Sequence, residues 1–235
     1  MIAVPAKSFH DSRAGQQNLR HHVFSVPGFS TGYFNGGIRR TSDPIKRVHS
    51  YDRRIKQVIG ELPADLSEKL TSITRIREFG KNEYLLSAGQ LCQHIYFIER
   101  GAARNFALVN GKEVTTGFTF AGQITTSFRS QTRQEPSEEY IQALMPTTVH
   151  QTDFRQFSVL KKQDQRLAEL DVLILESYAG WLEERLFAFQ TQTAEERYQL
   201  LIQQEPQLLQ KISLTHIASY LGINLGSLSR IRAKR

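Results

Sequence analysis

Five cations and no acidic residue fall in the last stretch of the chain, 211–235: Lys211, Arg230, Arg232, Lys234 and Arg235. Charge of one sign at this density suits the neutralisation of phosphates. An arginine such as Arg230 can give two hydrogen bonds to a guanine edge, or bind a phosphate. Ser227 and Ser229 are short hydroxyls able to bond backbone phosphates or bases. The chemistry in prospect is recognition of a nucleic acid, and no bond is made or broken.

Other chemistry finds little support. His94 and His150 stand apart with no His-x-His pair, so the paired ligands of a metal-dependent β-barrel enzyme are missing. No Ser-His-Asp order and no phosphate-cradling glycine loop occurs. The single cysteine, Cys92, excludes an intramolecular disulfide framework and a cysteine-ligated iron–sulfur cluster. We expect no enzymatic activity, no catalytic residue, no metal and no cofactor. No apolar run approaches the length of a membrane span, and the start, MIAVPAKSFHDSRAG, lacks the apolar stretch of a signal peptide. A cytoplasmic protein with no membrane partner is expected.

The basic end needs elements to hold it. In 212-ISLTHIASYLGINLGSLSRIRAKR-235, Ile217, Ala218 and Leu221 share one side of a short helix. Thr215 or Ser213 can cap its start. Gly222 follows, where a helix ends and the chain turns through positive φ. Ile223 can plug the corner, and Asn224 can cap a second helix with Leu228 and Ile231 on its inner face. Ala218 is small where two crossing helices approach. The outer face of the second helix then carries Gly226, Ser227, Ser229, Arg230, Ala233 and Lys234. This is a helix-turn-helix reading.

The net charge of +7 is uneven. Residues 1–50 hold 7 basic and 2 acidic groups, 51–160 hold 13 and 12, 161–210 hold 5 and 9, and 211–235 hold 5 and 0. A near-neutral body with an acidic helical middle favours a DNA-contacting end over a generally basic surface. Residues 1–50 have little periodicity and several glycines, and read as a flexible extension or a start assigned too far upstream.

From about residue 51 the pattern is that of a folded domain, and the 14 Phe and 8 Tyr of the chain suggest a substantial sheet core. Residues 52–60 and 63–73 read as helices, the second with Pro63 near its start. Short strands follow at 74–79, with Ile76 and Phe79 as its apolar positions, then at 83–86, 94–101, 102–108, 113–120, 139–144 and 148–152. Asn110-Gly111 between alternating runs is a hairpin signal. Short strands with glycine turns and no long helices between them imply a closed or sandwiched antiparallel sheet. After about residue 153 the period changes. Leu167, Leu170, Ile174, Tyr178, Trp181, Leu182, Leu186 and Phe189 recur at helical spacing, and Val172, Leu173 and Leu175 widen the stripe. A helix this apolar buries more than one face. One face can lie on the β domain, and Leu170, Ile174, Tyr178, Trp181, Leu182 and Leu186 can meet their copies in a second subunit. Thr193 with Glu196 forms a capping box for the next helix.

This order of elements resembles the Crp/Fnr superfamily of bacterial transcription regulators, most of all the branch common in Bacteroidetes-type bacteria. The motifs that carry the resemblance are 89-GQLCQHIYFIERGAAR-104, 111-GKEVTTGFTFAG-122 and 214-LTHIASYLGINLGSLSRIR-232. It covers about residues 52–235. It implies an α+β chain: an N-terminal antiparallel β-roll of the cyclic-nucleotide-binding, jelly-roll type over 51–160, a long dimerisation helix over 161–192, and a helix-turn-helix DNA-binding domain over 193–235. Many members continue into a β wing; this sequence stops at Arg235, so a wingless head is expected.

Cyclic-nucleotide binders of the family use a segment with a Gly-Glu pair for the ribose and an Arg some ten residues later for the cyclic phosphate. The matching stretch here is 122-GQITTSFRSQTRQEPSEEYIQA-143. Ser127 stands where the Glu belongs and Ser137 where the Arg belongs, followed by Glu138 and Glu139. Loss of the Arg and gain of acid argue against a cyclic phosphate. Gly122, Ser127, Arg129, Arg133 and Ser137 are the effector-pocket candidates, with Arg129 and Arg133 available to a different anion. In the head, Leu225 and Gly226 occupy the places of an Arg-Glu pair, Ser227 that of a phosphate-binding Ser or Thr, and Arg230 that of a base-reading Arg. The candidate DNA contacts are Thr215, Leu225, Ser227, Ser229, Arg230 and Lys234, with Leu225 placed to meet a thymine methyl. The resemblance implies double-stranded DNA with a palindromic operator and a second copy of the chain as partners. RNA polymerase and a small effector would join them. The alternative is a regulator that binds an effector or a protein through a degenerate head that does not bind DNA.

Overall fold

The structure is a computed structural model and describes residues 57–204 and 211–234, with Ile55 and Pro206; residues 1–50 lie outside the described residues. Helix α1 (Ala64–Ser72) starts behind Pro63, whose fixed φ suits a helix entry, and ends at Ile73. Eight strands follow: β1 (Thr74–Phe79), β2 (Tyr84–Leu86), β3 (His94–Arg100), β4 (Ala102–Val109), β5 (Lys112–Phe120), β6 (Ile124–Thr125), β7 (Glu139–Ala143) and β8 (Thr147–Asp153). They form two four-stranded sheets, β1-β8-β3-β6 and β2-β7-β4-β5, antiparallel throughout. The expected α+β architecture, with an N-terminal antiparallel roll followed by long helices, is what the chain adopts.

Turn chemistry sets the strand pairing. Asn110 and Gly111 both have positive φ (51° and 74°), as a two-residue turn of the I′ kind requires. That turn sets β4 against β5 from Ala102↔Phe120 to Val109↔Lys112. Gly101 has φ 92°, and a Cβ there would meet Thr147 Oγ1 at 2.5 Å and the Pro146 carbonyl at 2.7 Å, so the corner between β3 and β4 admits only glycine. Between the sheets, Leu85, Leu86, Cys92, Tyr96, Ile98, Ala103, Ile141, Ala143 and Val149 form the roll's core. The Tyr96 hydroxyl, buried there, donates to the Leu85 carbonyl at 2.7 Å.

The two apolar positions of β1 face opposite ways. Ile76 is 64% exposed, while Phe79 packs on the core. The two are an odd number of residues apart, so a strand sends them to opposite faces and only one can point inward. Two helices were not foreseen. Helix α2 (Phe128–Arg133) interrupts the roll between β6 and β7, and helix α3 (Phe154–Gln163) leaves it behind an Asp153 cap that accepts from the Gln156 amide at 2.8 Å.

Asp164 ends α3 and caps α4 (Gln165–Thr191) by accepting from the Arg166 amide. At about 1.5 Å per residue α4 runs for some 40 Å. Its N-terminal half buries Leu167, Leu170, Leu173 and Ile174. The last three pack with Ile55, Val58, Ile124 and Phe128. Thr193 and Glu196 form the expected capping box at the start of α5 (Ala194–Gln204): each side chain accepts from the other's amide, at 3.2 and 2.7 Å. Helices α6 (Leu214–Leu221) and α7 (Leu225–Ala233) complete the chain.

Candidate nucleic-acid interface and effector pocket

Helices α6 and α7 form a helix-turn-helix whose corner follows the signals in the sequence. Ser213 caps α6, its hydroxyl accepting from the Thr215 amide at 3.3 Å; of the two candidate caps, Ser213 takes the role. Gly222 closes α6 at φ 70° in the left-handed region, and a Cβ there would meet the Phe189 ring at 3.0 Å. The Asn224 side chain accepts from the Ser227 amide at 2.8 Å and starts α7. Ile217, Ala218, Leu221 and Leu228 are buried at the crossing.

The outer face of α7 is open to solvent. Leu225, Gly226, Ser229, Arg230 and Lys234 are exposed, as is Thr215 at the start of α6, and Ser227 is half-buried. Lys234 reaches Glu195 of α5 in an exposed ion pair at 3.3 Å, so its charge is shared with that carboxylate. Near the turn two further cations hold the head in place. Arg185 of α4 donates to the Tyr220 carbonyl at 3.1 Å and lies 3.9 Å over the Tyr220 ring. Arg197 of α5 donates to the Leu221 carbonyl at 2.9 Å.

The head also touches the roll. Ser219 of α6 accepts from the Thr115 amide at 2.9 Å and donates to the Glu113 carbonyl at 3.1 Å, both on β5. Tyr220 packs its ring 4.9 Å from Phe118. His216 lies with Nδ1 2.8 Å from Nη1 of Arg104, a β4 arginine only 2% exposed. Burial first, and then Arg104, hold His216 below the usual histidine range, against a smaller upward pull from Glu113. Arg104 and His216 lie in two separate motifs, 112 residues apart, and nothing in the sequence pairs them.

In the roll, the segment after β5 is closed upon itself. Gly122 takes φ 88° and its amide donates to the Ile98 carbonyl at 2.7 Å. Ser127 and Ser137, both buried, bond to each other at 3.2 Å. Ser137 also donates to the Glu139 carbonyl. The Ser127 amide meets Cys92 Sγ at 3.5 Å, and that thiol also lies 3.3 Å from Thr126 Oγ1. Arg129 is exposed and paired with Glu138 at 2.5 Å, and Arg133 is exposed. The structure thus brings Ser127 and Ser137 together and leaves Arg129 and Arg133 at the surface. Phe128, on the same segment, stacks on Tyr178 of α4 at 4.2 Å. Behind it, Glu139 is held above the usual carboxylate range by burial, eased by a hydrogen bond from Asn105.

Two of the residues expected at a subunit interface also pack within the chain. Leu170 is 3% and Ile174 8% exposed, packed with Ile55, Ile124 and Phe128, so they anchor α4 to the roll. Tyr178 leans on Phe128 and Trp181, and the Trp181 ring lies against Gly117 of β5. Leu182 and Leu186 are exposed, together with Val172, Leu175, Phe187 and Phe189.

Among the described residues no group of three or more His, Cys, Asp or Glu side chains could hold a metal ion, and no helix is long and apolar enough to cross a membrane.

Residues 76–164 match the cyclic nucleotide-binding domain family. Among solved structures, FixK2 from Bradyrhizobium japonicum is similar at TM-score 0.59 and 18% identity, over 69% of this chain and 84% of that one. A transcriptional regulator of the Crp/Fnr family from Eubacterium rectale is similar at TM-score 0.59 and 15% identity, over 73% and 82%. A CooA mutant from Carboxydothermus hydrogenoformans is similar at TM-score 0.55 and 20% identity, over 74% and 79%. No curated protein matches the chain. These likenesses are of fold: the chain contains a cyclic nucleotide-binding-type domain over residues 76–164 and shares the fold of these solved structures.

Proposed function

We propose that the chain is a homodimeric, sequence-specific DNA-binding transcriptional regulator whose roll does not answer to cyclic AMP. The observation that carries the reading is the capped α6–α7 pair with Leu225, Ser229 and Arg230 exposed along one helix. A second helix presenting short polar groups and an arginine fits the major groove, where an arginine reads guanine.

Two placements support the rest. On α4, Val172, Leu175, Ala179, Leu182, Leu186 and Phe189 are exposed at alternating spacings of three and four. That is the seam of a two-stranded coiled coil, and a second copy supplies the matching seam. In the roll, the positions of the family's ribose-binding Glu and phosphate-binding Arg hold Ser127 and Ser137, bonded to one another. A cyclic phosphate entering there would meet two hydroxyls in place of the family's carboxylate and guanidinium, and would lie near Glu139 and near Glu138, which already holds Arg129. Some other small effector, RNA polymerase as a further partner and a cytoplasmic location belong to the same reading, as does the absence of catalysis.

Footprinting on the promoter beside the chain's own gene tests it. Protection at low salt that weakens steeply as salt rises is expected, and it should be the same with and without cyclic AMP. A folded dimer that protects nothing at low salt would leave the other reading, a regulator whose head does not bind DNA. Protection that appears only with cyclic AMP would overturn the assignment of the roll.

A further inference from the structure

We propose that Arg104 and His216 form a proton-sensitive latch that holds the α6–α7 head on the β4–β5 face of the roll. The inference does not rest on DNA binding; it rests on how the head is docked.

The docking surface is partly apolar. Ala102, Phe120 and Leu144 of the roll share one core with Ile217, Ala218, Leu221 and Leu228 of the head. Its polar part is built on Arg104. The Nε and Nη2 atoms both donate to Gln142 Oε1, at 3.0 and 2.8 Å, and Nη2 also donates to Glu113 Oε2 at 2.6 Å. The guanidinium lies 4.0 Å over the Phe106 ring. Nη1 donates to Thr115 Oγ1 at 3.4 Å and lies 2.8 Å from His216 Nδ1 of the head. One turn further along α6, Ser219 satisfies the Thr115 amide and Glu113 carbonyl of β5, the outermost strand of its sheet. The head therefore covers a sheet edge that would otherwise stand open.

An arginine has donors and no acceptor. At 2.8 Å the imidazole must offer a lone pair at Nδ1, so the docked ring is neutral with its proton on Nε2. A proton added at Nδ1 would set N–H against N–H and bring a second cation against the buried guanidinium of Arg104. The charged groups facing His216 are Arg104 of β4 and Glu113 of β5. The cations from α4 and α5, Arg185 and Arg197, engage the Tyr220 and Leu221 carbonyls at the other end of α6.

The sign follows. The docked ring sits below the free histidine value of 6.5. The contribution of the latch is therefore complete above that pH. It is lost progressively as the pH falls below it, because the undocked head takes up the proton more readily.

Hydrogen exchange on the full chain, corrected for the intrinsic effect of pH, tests this without DNA. The Thr115 amide and the α6 amides should lose protection by on the order of tenfold between about pH 8 and about pH 5, while the β3–β8 amides change little. In His216→Gln the side-chain oxygen can still accept from Arg104 and does not titrate, so protection should be flat across that range. A ring-carbon NMR titration of His216 in the unaltered chain gives an independent reading. A midpoint below 6.5 is expected; a midpoint at or above 6.5, with the ring turned to give its proton to Glu113, would overturn the latch. So would protection in the unaltered chain that does not respond to pH, or an equal acid loss in the glutamine variant.

Discussion

Arg230 is the residue on which the proposed reading of DNA depends most, because its neighbours at the front of α7 offer little. Leu225 has no hydrogen bond to give and Gly226 has no side chain. Arg230 is exposed, two residues on from the buried Leu228. Arg230→Ala should cost about 1–3 kcal/mol on the preferred site and relax preference at one base pair, the signature of a base contact. Binding to a panel of sites with single base changes measures this. Uniform weakening over the panel would make Arg230 a phosphate contact only. Much of the residue scale was legible. Gly222, Asn224 and the Asn110-Gly111 turn announce their conformations, because positive φ and capping are local requirements. Arg104 was not legible. A buried arginine looks like a surface one until the strands that supply Gln142 and Glu113 and the helix that supplies His216 are brought around it.

Helix α4 shows what an element's pattern can and cannot say. Its length and apolar spacing were evident, and so was the need to bury more than one face. Which leucine faces which neighbour was not, since Leu170, Leu175 and Leu182 are chemically identical and all sit at helical spacing. The structure divides them. Leu170 and Ile174 lie under Ile55 and Phe128, while Val172, Leu175, Leu182 and Leu186 remain exposed. Helix α2 escaped notice for a related reason. Its residues, FRSQTR, are polar after Phe128 and too few to show a period, and the turn is held by hydrogen bonds of the buried Ser130 and Gln131. The division on α4 predicts two different phenotypes. The pair Leu182→Asp with Leu186→Asp should turn the proposed dimer into a folded monomer, read by light scattering with circular dichroism retained. Leu170→Ala should instead destabilise each chain by about 2–5 kcal/mol in chemical unfolding while leaving the stoichiometry of the folded fraction unchanged. A dimer unaffected by the aspartate pair would remove the seam from the interface.

At the scale of the whole molecule, charge and geometry point to the same end. The net charge of +7 hides an acidic stretch at 161–210 and a head with no acidic residue over 211–235. In the proposed complex, repulsion between the acidic helices and phosphates would turn the basic heads toward the duplex. A seam along α4 would relate two chains by a two-fold axis, and two heads so related meet DNA as two half-sites in opposite orientation. Each head is fixed to its own roll through Ser219, Tyr220 and His216, and to α4 and α5 through Arg185 and Arg197. The distance between recognition helices is then set by the body of the dimer and not by a free tether. Such a dimer should demand one half-site spacing. Inserting about five base pairs between the half-sites turns one of them to the opposite side of the helix, and should reduce binding to the level of a single half-site. Gel-shift titrations on a spacer series measure it. Equal affinity at every spacing would mean that the heads move independently of the rolls. Partial tolerance that appears only on acidification, and is absent in His216→Gln, is what release of the docked heads by protonation would produce.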